Sequence, residues 1–309
     1  MGCFSGNTVY QDKLRALTSS ALSMCVDALC ERYEIIERGE LAHSILGKSI
    51  PLLKVGKGDK AVLYIGAHHG MEWITSVLLL YFLDELCDAY VTKRQTVGLT
   101  MDFVFKSRSL IFVPMLNPDG VDLAILGKEA GGILLERQIR MNGDNEDFSR
   151  WQANARGVDL NHNYQTGFVE YKRLEQKMGI PCGAPTRYSG DSPESEPESA
   201  ALANLVRTLF PHSIYTLHTQ GEEIYCGGGE GGGERILSVG RTLSGLSGYR
   251  LAIPNGSAAY GGLTDYAVRA LGIPSFTIEC GKGENPLPPS SALLLYATLR
   301  RMLFYSTIL

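Results

Sequence analysis

Five consecutive apolar residues, Ala61-Val-Leu-Tyr-Ile65, run through Gly66-Ala-His-His-Gly into a helical pattern that extends from Trp73 to Tyr90. A run without polar alternation reads as a strand buried on both faces, and a strand that turns at once into a helix belongs to a layered α/β sheet. Further strands are read at Leu110–Met115, at Ser213–Leu217, which ends at His218, and at Ser275–Glu279. Strands separated by helices imply an α/β fold: a central, mixed and mostly parallel twisted sheet with helices on both faces.

The remaining segments fit around that core. Helical periodicity from about Gln11 to Tyr33, then strand-like content at Tyr33–Arg38 and Ile50–Val55 broken by Gly47-Lys48, predicts a helix followed by a hairpin. With no internal repeat and no linker composition, residues 1–309 read as one domain, of which 1–40 supply the N-terminal helix and first strand. Asn117-Pro-Asp-Gly120 predicts a turn, and Ser195-Glu-Pro-Glu198 a capping box ahead of a helix reaching Phe210. The stretch 127–193, rich in Gly, Asn, Asp and Arg, predicts long loops over the sheet edge. Gly227-Gly-Gly-Glu-Gly-Gly-Gly233 predicts a mobile loop near a site, and Leu287–Leu309 a closing helix.

Composition excludes whole classes of function. A net charge of −4 without a basic stripe or Lys/Arg block argues against nucleic-acid and membrane-surface partners. No apolar run is long enough to span a bilayer, and the first residues lack the charged and apolar regions of a secretory signal, so a cytoplasmic location is expected; removal of a leader would make it an exported protein. Seven scattered cysteines without a Cys-x-x-Cys pair read as buried thiols.

The chemistry is carried by His69-Gly-Met-Glu72. A histidine at a strand end with a glutamate three residues on lets two side chains converge on one metal ion. His218, where another strand gives way to Thr-Gln-Gly-Glu, is the best third ligand. Ligands of open α/β sheets sit beyond the carboxyl ends of strands, and three protein ligands leave a fourth zinc position for water. His68 is a rival, but Met71 lies three positions after it and is poorly suited to the partner role. His43 and His212 read as ordinary hairpin and loop residues.

Gly66-Ala-His-His-Gly-Met-Glu72, Asn117-Pro-Asp-Gly120, Arg156-Gly-Val-Asp-Leu-Asn161, His218 and Phe276-Thr-Ile-Glu279 occur in the order found in zinc carboxypeptidases of the funnelin type, which this chain resembles from about Ile45 onward. Glu279-Cys-Gly-Lys-Gly-Glu-Asn-Pro-Leu-Pro288 is most similar to the bacterial γ-D-glutamyl-meso-diaminopimelate peptidases. The resemblance implies one zinc ion per chain held by His69, Glu72 and His218, with Glu279 as general base and proton shuttle and Arg156 as the carbonyl-polarising group. It implies that Asn161 binds a substrate carboxylate. It also shows departures: His162 stands where an arginine is usual, Met71 replaces another arginine, and Ser257 occupies the position of a flexible tyrosine for which Tyr260 can substitute. Asp265 and Lys282 are candidates for a substrate amine and a substrate carboxylate.

The resemblance thus implies a peptidase that cuts the γ-D-glutamyl-meso-diaminopimelate bond of peptidoglycan stem peptides. The alternatives are a metallocarboxypeptidase removing C-terminal residues, an N-acyl amino acid deacylase resembling aspartoacylase, and a non-enzymatic wall-binding module.

Overall fold

The computed structural model describes residues 16–227 and 233–309. The part of the expected first helix before residue 16, and the glycine patch at 228–232, lie outside the described residues. In chain order the elements are α1 (Ser19–Arg32), β1 (Glu37–His43), β2 (Ser49–Val55), β3 (Lys60–Ile65), α2 (Ile74–Val91), a small hairpin of β4 (Gln95–Thr96) and β5 (Leu99–Thr100), α3 (Met101–Ser107), β6 (Arg108–Val113) and α4 (Pro118–Leu126). Then come α5 (Leu135–Met141), α6 (Phe168–Lys177), α7 (Pro197–Leu209), β7 (Ser213–His218), β8 (Glu223–Cys226), α8 (Gly233–Ser247), β9 (Arg250–Ala252), α9 (Leu263–Leu271), β10 (Ser275–Glu279) and α10 (Ala292–Ser306).

Eight strands form one mixed sheet in the order β1-β2-β6-β3-β7-β10-β8-β9. Its centre, β6-β3-β7-β10, is parallel, and the β1-β2 hairpin runs antiparallel at one side. Period-two alternation sorts the side chains between two cores. Val62 and Tyr64 of β3 enter a core shared with α2, α8 and α10, whereas Ala61, Leu63 and Ile65 enter one shared with α7 and α9. Both faces are therefore covered, as the unbroken apolar run requires. Across the centre Phe112, Tyr64, Tyr215 and Phe276 lie in register and stack, with ring centroids 5.0, 5.4 and 5.5 Å apart. Slipping any strand by one residue would send its ring to the opposite core, so the ladder pins the register that aligns the strand ends.

That alignment positions the site. From β3 the chain goes to β6 on one side and later to β7 on the other, so the strand order reverses between β3 and β7. A crevice opens at the carboxyl ends there.

Four expectations need correction. Asn117-Pro-Asp-Gly120 is the start of α4, not a turn: Asn117 Oδ1 accepts from the Gly120 N–H at 2.9 Å and Pro118 fills the first helical position. No capping box forms at Ser195, because its hydroxyl joins Asn163 and Glu196 while Glu198 is buried beside Asn154; α7 starts with Glu196 as its cap residue and no side-chain cap. The stretch 127–193 contains α5 and α6 as well as loops, and the closing helix begins at Ala292.

Candidate metal centre

His69 ends the segment after β3, and a short 3-10 turn, Gly70–Glu72, brings Glu72 back beneath it. The turn is pressed against the 151–153 segment: Gly70 and Met71 donate to the Gln152 and Trp151 carbonyls at 2.9 Å each. A Cβ on Gly70 would lie 2.3 Å from the Gly120 carbonyl oxygen, so only glycine permits this approach. Asn117 Nδ2 donates to the carbonyls of His68 and Ala153 and ties the same two segments together.

His218, at the end of β7, completes the cluster. Its Nδ1 lies 3.3 Å from His69 Nδ1 and 3.1 Å from Glu72 Oε2, while Glu72 Oε1 lies 2.9 Å from His69 Nδ1. These ligand atoms all lie within 4.8 Å of one another. Asp159 Oδ1 sits 3.2 Å from His69 Nε2. A carboxylate can only accept there, so that nitrogen carries the proton and the Nδ1 lone pair faces the cluster. A metal-binding imidazole oriented from behind by a carboxylate has this arrangement. The electrostatics also call for a cation. Burial disfavours a charged His69 ring, but the carboxylates of Glu72 and Asp159 outweigh it and push its pKa well above the usual range. Burial raises Glu72 as well, yet His69 and His218 hold it down to about 2. Two nitrogens and one carboxylate, converging in a buried and anionic setting, fit zinc.

Glu279 ends β10 directly beside His218 in the parallel register. Burial, and then the charge of Glu72, push its pKa up to about 8. The cluster opens into a cavity of about 240 Å³, lined by His69, Glu72, Asn161, His162, His218, Asp265 and Glu279 among the expected residues. Gln152, Thr219, Tyr225, Thr264 and Thr277 join them.

The other expected residues are not brought to this wall. Arg156 Nε pairs with the buried Glu196 carboxylate at 3.0 Å. Lys282 is exposed and pairs with Glu222 at 2.5 Å. Ser257 lies in the turn Gly256–Ala259, of which Ala258 faces the cavity. Tyr260 contributes its carbonyl, to which His162 Nδ1 donates at 3.0 Å. His162 itself lines the cavity with its Nδ1 held by that carbonyl. Burial lowers its pKa, its ring stacks on Tyr171 at 3.8 Å, and the remaining Nε2 is an acceptor. His68, the rival ligand, packs flat against His218 at 5.2 Å and meets the Tyr164 hydroxyl.

Asn161 Oδ1 accepts from the Leu263 N–H at 3.3 Å, and the residue lines the cavity. Asp265 is buried, with Oδ1 2.8 Å from Arg269 Nε and Oδ2 buried without a hydrogen-bond partner. Burial raises its pKa to about 6 against the pull of Arg269. No lysine or arginine is among the described residues lining the cavity.

Sequence reasoning passed over Asp159 and Gln152. Asp159 had a signal, its position in Gly-Val-Asp-Leu-Asn161, whereas Gln152 had none.

Residues 23–232 match the family described as zinc carboxypeptidase. The chain belongs to the zinc carboxypeptidase family. His69, Glu72 and His218 form its candidate metal site. Among its relatives is gamma-D-glutamyl-L-diamino acid endopeptidase 1 of Lysinibacillus sphaericus, 33% identical over 265 residues that cover 85% of this chain and 65% of the relative. The chain thus spans just under two thirds of that relative's length. The bovine thrombin-activatable fibrinolysis inhibitor, solved with tick carboxypeptidase inhibitor, superposes with a TM-score of 0.71 at 20% identity and covers 97% of each chain. The murein-tripeptide amidase of Escherichia coli O157 superposes at 0.52 with 19% identity over 86% of this chain and 91% of its own. These two likenesses establish the fold. Among the described residues no helix is long and apolar enough to cross a membrane.

Proposed function

We infer that this chain hydrolyses the amide bond between γ-linked D-glutamate and a diamino acid, meso-diaminopimelate, in peptidoglycan stem peptides. One observation carries the reading. The cavity is lined by Asp265, whose Oδ2 is buried without a hydrogen-bond partner, by His162 and by Asn161, and no lysine or arginine is among the described lining residues. A peptidase that grips only a C-terminal carboxylate is expected to use a fixed cation, whereas a distal ammonium needs acceptors. Diaminopimelate carries both groups, an ammonium for Asp265 and a carboxylate for Asn161. The similarity to an endopeptidase named for γ-D-glutamyl-L-diamino acid bonds supports the same substrate class.

Held by His69, Glu72 and His218, zinc supplies Lewis-acid polarisation of water and carbonyl. Asp159 keeps the His69 ring in the tautomer that presents Nδ1. Glu279 takes a proton from the attacking water and returns it to the leaving nitrogen. Burial and the charge of Glu72 raise its pKa above the usual carboxylate range, which favours a group that both accepts and returns a proton. Lying next to His218, the group is within the crevice where the water attacks.

The test is hydrolysis of L-Ala-γ-D-Glu-meso-diaminopimelate beside a blocked C-terminal aromatic dipeptide and an N-acetyl amino acid. Cleavage of the first is expected to dominate, and Glu279→Gln to lower kcat by at least about 10²–10⁴ with its metal retained. Preference for either of the other substrates overturns the assignment.

A further inference from the structure

We propose that Gln152 is the residue that polarises the scissile carbonyl, donating from Nε2 to its oxygen as the carbon becomes tetrahedral. The inference rests on the peptidase reading, and it concerns any amide the site cleaves.

Amide hydrolysis by an attacking water pushes electrons onto the carbonyl oxygen, and a fixed donor aimed at that oxygen is among the largest contributions a protein can make. Arg156 is not among the residues lining the cavity, and its Nε lies 3.0 Å from the Glu196 carboxylate. The other lining donors are committed. The Thr219 hydroxyl donates to Asn285 at 2.7 Å, those of Thr264 and Thr277 face each other at 2.9 Å, and the Tyr225 hydroxyl is bonded to Glu223. Asn161 is held by the Leu263 N–H on its Oδ1 and stands as the candidate for the substrate carboxylate.

Gln152 remains, and three features fit it to the task. Its backbone is locked to the ligand-bearing turn, the carbonyl accepting from Gly70 N–H and the N–H donating to Pro185 at 2.9 Å, so it cannot drift relative to His69 and Glu72. Its Oε1 accepts from the Thr186 hydroxyl, which ties down one end of the side-chain amide. The residue lines the cavity together with His69 and Glu72. A neutral donor is consistent with the described lining residues, among which there is no lysine or arginine, and it places no fixed positive charge beside the ammonium of a diamino acid.

The test compares wild type with Gln152→Ala, Gln152→Glu and Thr186→Val, each checked for bound zinc and for melting temperature. The substrate is whichever amide the wild type cleaves best, so a mistaken substrate assignment does not blunt the result. Gln152→Ala should lower kcat about 100-fold with KM changed less than about threefold and metal unchanged. Gln152→Glu, which keeps the shape but replaces the donor by an acceptor, should fall at least as far. Thr186→Val, a positioning change, should cost about tenfold. Binding gives a second readout: a phosphinic pseudo-peptide, whose tetrahedral oxyanion mimics the transition state, should bind Gln152→Ala about 100-fold more weakly, while free diaminopimelate binds as before. Equal weakening of both ligands, a kcat within threefold of wild type, or a larger kcat loss in Arg156→Ala than in Gln152→Ala would overturn the proposal.

Discussion

Replacing Asp265 by asparagine keeps the side-chain shape and removes the charge that a substrate ammonium would meet. Asp265 Oδ1 is already compensated by Arg269, so its long-range attraction is largely spent, and what it offers through Oδ2 is one buried charge-assisted hydrogen bond. Such a bond is worth about 1.5–3 kcal/mol, or about 10- to 150-fold in affinity. The assay measures kcat/KM for L-Ala-γ-D-Glu-meso-diaminopimelate and for the same peptide with hydrogen in place of the distal amine. Wild type should prefer the amine by that factor, and Asp265→Asn should bring the ratio close to one, mainly through KM. The preference should also titrate. With a pKa raised to about 6 by burial, the carboxylate is charged above that pH and neutral below it, so the preference for the amine should fall about tenfold from pH 7 to pH 5. Asp265→Asn should show no such change. Equal losses on both peptides in the variant, or a preference in wild type that is flat across that range, would refute the reasoning and leave Asp265 a structural partner of Arg269.

The same geometry sets two other outcomes. Asp159→Asn weakens the hold on His69 Nε2 and should reduce zinc affinity about 10- to 100-fold, read by competition with a chelating dye. Arg156→Ala should lower stability by about 1–3 kcal/mol in urea titration, because it strips a partner from the buried Glu196, while zinc content stays at the wild-type level.

Much of the architecture was legible because the decisive signals are local. The unbroken apolar run of β3 demands burial on both faces and leads within four residues to His69, and the ends of β7 and β10 carry His218 and Glu279. Misreadings arose where one local pattern serves two structures. Asn-Pro-Asp-Gly is as good a helix entry as a turn, and the contacts that decide, from Asn117 to His68 and Ala153, are long-range. Ser195 has the composition of a cap, yet its hydroxyl is drawn to Asn163, 32 residues away. Side-chain roles were less legible still. Whether His162 clamps an anion or accepts from a cation depends on the Tyr260 carbonyl, 98 residues on. Arg156 meets the buried Glu196, a residue no periodicity links to it.

Every role assigned to this cavity depends on a zinc ion held by His69, Glu72 and His218. Chelator-stripped wild type and His218→Ala, each equilibrated with zinc and analysed for bound metal and thermal stability, test it most directly. Wild type should bind one zinc per chain and gain about 4 kcal/mol when free zinc exceeds its dissociation constant about a thousandfold, whereas His218→Ala should bind far more weakly. A wild type that takes up no zinc, or a variant that holds it equally well, would contradict that dependence.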